Sequence, residues 1–236
     1  MTNPHPQTDA ETTIESLADE LFQRVVSLPA GKRYILGITG YPGAGKSTVS
    51  EWIVDGVNQR LHKRVATGAA PNQSTAVNAL IVPMDGFHLS NEKLTELNLL
   101  ALKGIPDSFD GAGFVDLMRR LRKVTDENVY APLFDRSIEA SIEDAIVIQP
   151  SDRLCVVEGN YLLLDTEPWV QCRQYLDEAW FLDVDIDTIV PRLHERHIKG
   201  GRSPEAAKTK MESTDLPNAR LIESTRKFAH KLVKLG

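Results

Sequence analysis

A short glycine-rich segment carries the residue types that bind a nucleotide phosphate. Residues 40–48 read GYPGAGKST and match the P-loop pattern GxxxxGK[ST]. The glycines allow successive backbone N–H groups to point at one anion, and the N-terminus of a following helix adds partial positive charge. In this pattern Lys46 reaches the β- and γ-phosphates, and the Ser47 hydroxyl ligates Mg²⁺. The residues predicted to bind the nucleotide here are Gly40, Gly43, Ala44, Gly45, Lys46, Ser47 and Thr48.

The segments on either side of the P-loop predict the structure that the motif requires. Residues 34–39 are mainly apolar, as in a buried strand, and residues 47–61 repeat large apolar side chains at helical spacing. A strand, a glycine-rich loop and a helix in this order form a phosphate-binding unit. The alternative is a chance glycine-rich turn, which would not require these neighbours.

Two carboxylates follow apolar strands elsewhere in the chain. Asp85 comes shortly after the apolar residues 79–82, and Glu158 ends the largely apolar segment 153–158. The carboxyl ends of parallel strands meet at one edge of a sheet, where open α/β sheets bind ligands. We therefore predict Asp85 as a catalytic base, and Glu158 as a carboxylate that holds a Mg²⁺ water or a substrate hydroxyl.

Each of these residues also has a structural interpretation. Asp85 could cap a turn, and Glu158 could be an exposed residue at a strand end. His88, in the turn after Asp85, is predicted either to reach a substrate hydroxyl or to be a structural hydrogen-bonding residue. The sequence alone leaves these alternatives open.

An arginine-rich segment with two adjacent glycines lies near the end of the chain. Arg192, Arg196 and Arg202 surround the glycines 200–201, and residues 192–213 are predicted to form a hinged lid over the phosphates. Arg196 is assigned a catalytic role, and the other two arginines are assigned to the nucleotide, because cations stabilise the charge of a transferring phosphoryl group. The alternative is a solvated helix end whose cations balance the helix dipole.

Composition disfavours several classes of partner. The 236 residues include 27 Lys and Arg against 33 Asp and Glu, and the net charge of −6 argues against a nucleic-acid-binding surface. Cys155 and Cys172 are too few for a disulfide framework and fit a reducing compartment. No apolar run reaches the length of a membrane span, and no signal or transit peptide is recognised. We expect a soluble, cytoplasmic protein without nucleic-acid or membrane partners.

The order of predicted elements indicates one domain. Residues 1–12 are predicted as a flexible tail, residues 13–236 as a single domain, and residues 67–78 as an insert loop without large apolar side chains. Apolar strands and amphipathic helices in alternation predict an α/β fold. The spacing of the segments 129–136 and 145–148 predicts a small antiparallel excursion from the main sheet, in which two short strands pair with each other.

Periodicity and capping predict further element boundaries. One helix is predicted over Asn91–Leu102, and another begins near Asp110. A third is capped near Asp187, which would place Pro191 in its first turn, where backbone N–H groups lack partners. Residues 230–235 are predicted to form a closing strand.

Missing motifs narrow the class of nucleotide-binding protein. The sequence has no [NT]KxD motif and no LSGGQ-like signature, and it is short for a motor or a ring ATPase subunit. A small kinase, in which positioning and charge stabilisation do most of the catalysis, fits the remaining features. The alternatives are a nucleotide-dependent chaperone or metallochaperone-type NTPase, and a nucleotide-binding regulator without catalysis.

The motifs together resemble the phosphoribulokinase/uridine kinase superfamily, in particular the bacterial branch of nucleoside and sugar kinases related to type I pantothenate kinase. The resemblance covers nearly the whole chain from residue 34 onward. The segments that carry it are 40–48, 84–88, 103–110, 130–136, 157–161 and 215–219. One departure is Tyr130-Ala131-Pro132, which replaces the His-containing acceptor motifs of uridine and pantothenate kinases, so neither substrate is assumed.

The resemblance implies a P-loop NTPase fold of three layers, α/β/α, around a central parallel sheet. It also implies ATP and Mg²⁺ as cofactors, and transfer of the γ-phosphoryl group to a hydroxyl of a sugar, a nucleoside or a pantothenate-like alcohol. It implies Asp85 as the base, Glu158 as a substrate or metal-shell carboxylate, and Tyr130 and Arg136 as acceptor contacts. It also allows a homodimer. The full predicted substrate-binding set is Asp85, His88, Tyr130, Arg136, Glu158 and Asn160, and the predicted metal ligands are Ser47 and Glu158.

Overall fold

A computed structural model describes residues 13–67, 77–123 and 126–235 of the chain. The predicted tail, residues 1–12, lies outside the described residues, as does most of the predicted insert loop 67–78. Its ends are described: Thr67 follows the second helix, and Asn78 begins the second strand.

The described residues form a five-stranded sheet and a separate two-stranded sheet. The strands are β1 Tyr34–Gly40, β2 Asn78–Pro83, β3 Val129–Asp135, β4 Ala140–Ile148, β5 Asp152–Glu158, β6 Glu178–Leu182 and β7 Lys231–Val233. The large sheet has the order β2-β5-β1-β6-β7, and every neighbouring pair in it is parallel. Strand β1, which leads into the P-loop, is therefore central, and the predicted closing strand is confirmed as β7.

Helices cover both faces of the large sheet. They are α1 Ile14–Ser27, α2 Lys46–Ala66, α3 Asn91–Glu96, α4 Gly111–Arg122, α5 Ile186–Lys199, α6 Pro204–Lys210 and α7 Leu216–Glu223. Alternate residues of β1 point to opposite faces, so Leu36 packs in the core with α1 and α2, while Ile35 packs in the core with α4. The predicted three-layer α/β/α fold with a parallel sheet is confirmed.

Two predicted boundaries were wrong. Helix α3 ends at Glu96 rather than Leu102, because Asn98 adopts a left-handed backbone conformation (φ 57°) and breaks the helix before a 3₁₀ turn at Leu100–Leu102. Helix α5 begins at Ile186, after the cap residue Asp185, so Pro191 lies inside the helix and not in its first turn.

The predicted antiparallel excursion is the two-stranded sheet of β3 and β4. This hairpin packs against a 3₁₀ turn, Met84–Phe87, that follows β2. The approach is close at Gly86, where an added Cβ atom would lie 2.1 Å from the carbonyl oxygen of Pro132. Because no side chain fits there, the hairpin lies directly on the turn that carries Asp85.

The predicted lid segment joins the end of α5 to α6 and to a π-helical turn, Met211–Asp215. Gly201, between the two helices, has a φ of 86°, a conformation that favours glycine. Leu193 and Met211 are buried in a small core of their own. None of the described helices is long and apolar enough to cross a bilayer.

Candidate active site

One large cleft lies along the carboxyl edge of the parallel sheet. Its volume is about 1330 Å³, and the P-loop, the turn after β2, the end of β5 and the lid segment line it. Strand register explains why these parts meet: Glu158 on β5 pairs with Ile38 on β1 and with Pro83 on β2. The strand ends that precede the P-loop and Asp85 are thus adjacent to Glu158.

The P-loop adopts a conformation that only glycine takes easily. Gly43 and Gly45 have φ values of 81° and 88°, and α2 begins directly at Lys46. The Lys46 ammonium donates hydrogen bonds to the carbonyl oxygens of Gly40 and Tyr41, both at 3.0 Å. Ala44 is buried and its N–H donates to the Tyr41 carbonyl at 3.0 Å. Gly40 and Ala44 thus build the loop, whereas Gly43, Gly45, Lys46, Ser47 and Thr48 line the cleft.

Ser47 and Glu158 place two side-chain oxygens next to each other beside the P-loop. The Ser47 hydroxyl donates to Glu158 Oε1 at 3.0 Å, and the carboxylate is buried. Burial raises the pKa of Glu158, and the nearby Lys46 ammonium opposes that shift. Among the described residues no group of three or more His, Cys, Asp and Glu side chains is placed to hold a metal. A hydroxyl and a carboxylate this close fit Mg²⁺, which takes few protein ligands and completes its shell with phosphate and water.

Asp85 lines the same cleft as the P-loop and is paired with an arginine. Arg136, at the end of the β3–β4 hairpin, donates to Asp85 Oδ2 at 2.9 Å. Two separate parts of the chain therefore fix this carboxylate, since the 3₁₀ turn carries it and the hairpin orients it. Asp85, Arg136 and Asn160 all line the same cleft.

His88 has a defined tautomer. Its Nδ1 atom lies 2.8 Å from the carbonyl oxygen of Asp85, and because a carbonyl only accepts, Nδ1 carries the hydrogen. The ring lies 4.0 Å from the Phe109 ring centroid and 4.8 Å from that of Phe134. Burial lowers the pKa of His88, which favours the neutral ring. Its Nε2 atom is therefore an unprotonated acceptor on a residue that lines the cleft.

A buried carboxylate, Asp215, organises the lid segment. His197 Nε2 donates to Asp215 Oδ2 at 2.6 Å, and Arg196 approaches Asp215 Oδ1 at 3.6 Å. Arg202 donates to the other ring nitrogen of His197 at 3.3 Å. Arg196 and Arg202 are thus both connected to Asp215, Arg196 directly and Arg202 through His197. Arg192 also lines the cleft and has no ion pair to any other residue that the structure describes.

Sequence reasoning assigned no role to Asp215 or to the loop around Gly104. Gly104 (φ 111°) accepts a hydrogen bond at its carbonyl from Asn218 at 2.8 Å and a second from the Tyr161 hydroxyl. Lys210 of α6 donates to the carbonyl oxygen of Lys103 at 2.8 Å. Periodicity gives no indication of these contacts. The importance of these two regions could have been inferred from the family resemblance, because residues 103–110 and 215–219 both belong to the segments that carry it.

The structure does not bring Tyr130 into the cleft with the other predicted substrate residues. Tyr130 lies opposite Val147 in the hairpin, and its side chain is 43% exposed. Its neighbours Val129 and Ala131 are buried, and side chains alternate along a strand, so Tyr130 faces away from the core. The cleft is lined instead by Phe134 and Arg136, which follow an irregularity between Ala131 and Leu133.

Comparison with known proteins identifies relatives of the whole chain. A protein of Schizosaccharomyces pombe named "Putative uridine kinase C227.14" is 32% identical over 87% of this chain and 85% of its own. The crystal structure of a "putative fructose transport system kinase" from Silicibacter sp. TM1040 is 33% identical, with a TM-score of 0.79 over 94% of this chain and 99% of its own. This chain belongs to the uridine kinase-like P-loop kinases of the phosphoribulokinase/uridine kinase superfamily.

A more distant structure confirms the fold. YFH7 of Saccharomyces cerevisiae, a "putative P-loop containing kinase with a circular permutation", gives a TM-score of 0.80 over 95% of this chain and 99% of its own at 20% identity. At that identity the likeness concerns the fold alone. Together with the kinase-named relatives, the P-loop geometry makes this chain a nucleotide-binding P-loop kinase.

One family model matches only the beginning of the chain. The model described as "Methylmalonyl Co-A mutase-associated GTPase MeaB" matches residues 7–81, which include the P-loop but neither Asp85 nor the lid segment. The chain also contains a DxxG sequence, a pattern found in GTPases, at residues 110–113. Asp110, however, caps α4 by accepting from the Gly113 N–H at 2.9 Å, and it does not line the cleft. The match supports nucleotide binding and reaches no acceptor residue.

The environment of Lys46 predicts a pH dependence of nucleotide binding. Burial lowers the pKa of Lys46 to about 8 in the free protein. A bound triphosphate favours the ammonium form, so affinity should be constant below about pH 8 and should weaken above it, approaching tenfold per pH unit. Calorimetric titration with ATP between about pH 7.5 and pH 9.5 tests this. Lys46→Arg, which stays charged, should show no such decline. A flat profile for the unaltered protein would contradict the prediction.

The contacts of Asp215 predict a positioning role. Asp215→Asn should loosen Arg196 and His197 and lower kcat by roughly 10- to 100-fold, because small displacements of charged groups are costly in a transfer site. The matched control is Asp183→Asn, since Asp183 is equally buried and binds Arg226 at 2.7 Å, but does not line the cleft. Steady-state kinetics and thermal melts should show similar stability losses and a kcat loss for Asp215→Asn alone. Equal kcat values in the two variants would rule out positioning by Asp215.

Proposed function

We propose that the protein transfers the γ-phosphoryl group of ATP to a hydroxyl group of a small polar metabolite. The observation that carries this proposal is that Asp85 faces the same cleft as Lys46 and the Ser47–Glu158 pair. A phosphate-binding loop alone would fit any NTPase. A carboxylate in the same cleft as that loop provides the base that an acceptor hydroxyl needs.

The residues divide the reaction into a donor half and an acceptor half. On the donor side, P-loop N–H groups and Lys46 bind the phosphates, and Ser47 and Glu158 are placed to hold Mg²⁺. When bound, Mg²⁺ would neutralise charge on the β- and γ-phosphate oxygens. On the acceptor side, Asp85 takes the hydroxyl proton as the acceptor oxygen bonds to the γ-phosphorus. The bond from that phosphorus to the bridging oxygen then breaks and ADP leaves.

The lid arginines supply the remaining charge. Arg196 lies next to Asp215 and is partly buried, and Arg192 and Arg202 line the same cleft. Because the transferred group carries negative charge on its equatorial oxygens, cations fixed before the reaction lower the barrier without reorganising during it. Arg196 is proposed as the catalytic member, and the other two as nucleotide contacts.

The names of the relatives do not agree on an acceptor. One relative is named for uridine and another for fructose transport, so the comparisons support phosphotransfer more strongly than any substrate. A chaperone-like or regulatory NTPase would need no acceptor half. The aromatic and polar groups around His88, which line the same cleft as the P-loop, favour a kinase.

Substitution of the proposed base tests the function. Asp85→Asn should lower kcat by about 10²- to 10⁴-fold, as expected for loss of a general base, while the affinity for ATP stays nearly unchanged. Lys46→Ala should abolish transfer and weaken ATP binding. The measurements are acceptor-dependent ADP release and calorimetric ATP affinity. Near-normal turnover of Asp85→Asn would remove Asp85 as the base, and unchanged affinity and rate in Lys46→Ala would remove the P-loop as the donor site.

A further inference from the structure

We propose that the acceptor is a neutral, non-aromatic polyhydroxy compound such as a sugar or a polyol, and neither a nucleoside nor an anionic alcohol. This inference rests on the phosphotransfer function proposed above. It concerns the acceptor half of the cleft, defined here as the part lined by Asp85, His88, Lys103, Phe109, Phe134 and Arg136. The inference is supported by the ion pairs and the aromatic ring contacts in this region.

Both cations of the acceptor half already have carboxylate partners. Arg136 is bound to Asp85 at 2.9 Å. The Lys103 ammonium lies 3.5 Å from the Glu139 carboxylate and donates to the Asn91 side-chain oxygen at 3.0 Å. A carboxylate or phosphate on the acceptor would have to share these cations with their carboxylate partners, so it would gain less compensating charge for its lost hydration. The acceptor half therefore favours an uncharged molecule.

Apart from Lys46 of the P-loop, the cleft cations that make no ion pair to another described residue belong to the lid segment. Within the described chain, Arg192, Arg202 and Lys210 line the cleft and make no ion pair. A triphosphate carries more negative charge than one Mg²⁺ neutralises, so Arg192 and Arg202 have a sufficient ligand in the nucleotide. Lys210 donates to the carbonyl oxygens of Ala101 and Lys103, and burial lowers its pKa, both of which weaken it as an anion site.

The aromatic side chains of the acceptor half pack against one another. The His88 ring lies beside Phe109 and Phe134, with centroid separations of 4.0 Å and 4.8 Å. Phe134 is also covered by the Lys103 ammonium, 5.0 Å from its centroid. Phe109 meets Tyr161 and Trp169 in edge contacts. A nucleobase gains most of its apolar binding energy by stacking on an open ring, and these rings are already in contact with neighbours.

The polar groups that remain suit hydroxyls. His88 Nε2 and the Asp85 carboxylate accept hydrogen bonds, while the Arg136 guanidinium can donate them. A hydroxyl both donates and accepts, so several hydroxyls on one molecule can satisfy donors and acceptors together. A molecule with a single hydroxyl and a large apolar group would leave some of them unpaired, which is costly.

The inference is tested by acceptor-dependent ADP release from the purified full-length protein with Mg²⁺ and ATP. The panel has three groups at equal concentration: neutral polyols (glycerol, ribose, fructose), nucleosides (uridine, adenosine) and anionic alcohols (glycerate, pantothenate, a hexose phosphate). The best neutral polyol should exceed the best member of either other group in kcat/KM by at least about tenfold, because unpaired polar groups penalise the wrong ligand.

The outcomes separate this inference from the proposed function. A nucleoside or an anionic alcohol as the best acceptor would establish the kinase and overturn the inference. An anionic preference that disappears in Lys210→Met would also overturn it, and would assign the anion to Lys210. ADP release that no acceptor stimulates would contradict the proposed function itself.

A variant pair tests the charge argument directly. Glu139→Gln removes the carboxylate partner of Lys103, so the ratio of kcat/KM for an anionic alcohol to that for a neutral polyol should rise about two- to fivefold, as expected for an exposed ion pair. Glu96→Gln is the control, since Glu96 pairs with Lys93 at 3.0 Å away from the cleft lining. An unchanged ratio in Glu139→Gln would contradict the role of paired cations.

Discussion

The site depends on a carboxylate and an ammonium that share the buried edge of one sheet. Burial raises the pKa of Glu158 and lowers that of Lys46 to about 8, and each charge opposes the shift of the other. Neither group would be stable there alone, because isolated charges are costly to desolvate. Their proximity follows from sheet order, since β5, which ends at Glu158, pairs with β1, which leads into the P-loop. The parallel pairing of these two strands therefore makes the phosphate site.

The acceptor half depends on contacts between segments that are distant in the chain. Asp85 is fixed by a turn and by Arg136 of the hairpin, and the close approach of Gly86 to Pro132 sets the distance between them. Asp215 binds His197 within the lid segment, and Lys210 of the same segment donates to the carbonyl oxygen of Lys103. The donor half is thus built from one local motif and a neighbouring strand. The acceptor half instead requires segments distant in the chain to pack against one another.

This difference explains how much could be predicted from the sequence. The P-loop and the strand-end positions of Asp85 and Glu158 follow from local patterns, and the structure places them together. The order of the strands does not follow from such patterns, and β5 lies between β2 and β1. The role of Asp215 could not be predicted, because its partner His197 lies 18 residues away across a π-helical turn. Tyr130 was predicted as an acceptor contact from the resemblance, but strand alternation turns it away from the cleft. Helix α3 likewise ends earlier than predicted because Asn98, just after it, has a left-handed backbone conformation, and the spacing of apolar residues does not indicate such a conformation.

The most direct test follows the γ-phosphate itself. The protein is incubated with Mg²⁺, ATP labelled in its γ-phosphate, and a pool of small metabolites. The amounts of label in phosphomonoesters and in inorganic phosphate are then measured. Transfer to a hydroxyl predicts that a small-molecule phosphomonoester gains label in step with ADP formation, and that Asp85→Asn suppresses it. Label that appears only as inorganic phosphate, at the same rate with and without the metabolite pool, would contradict the account and identify the protein as a hydrolase.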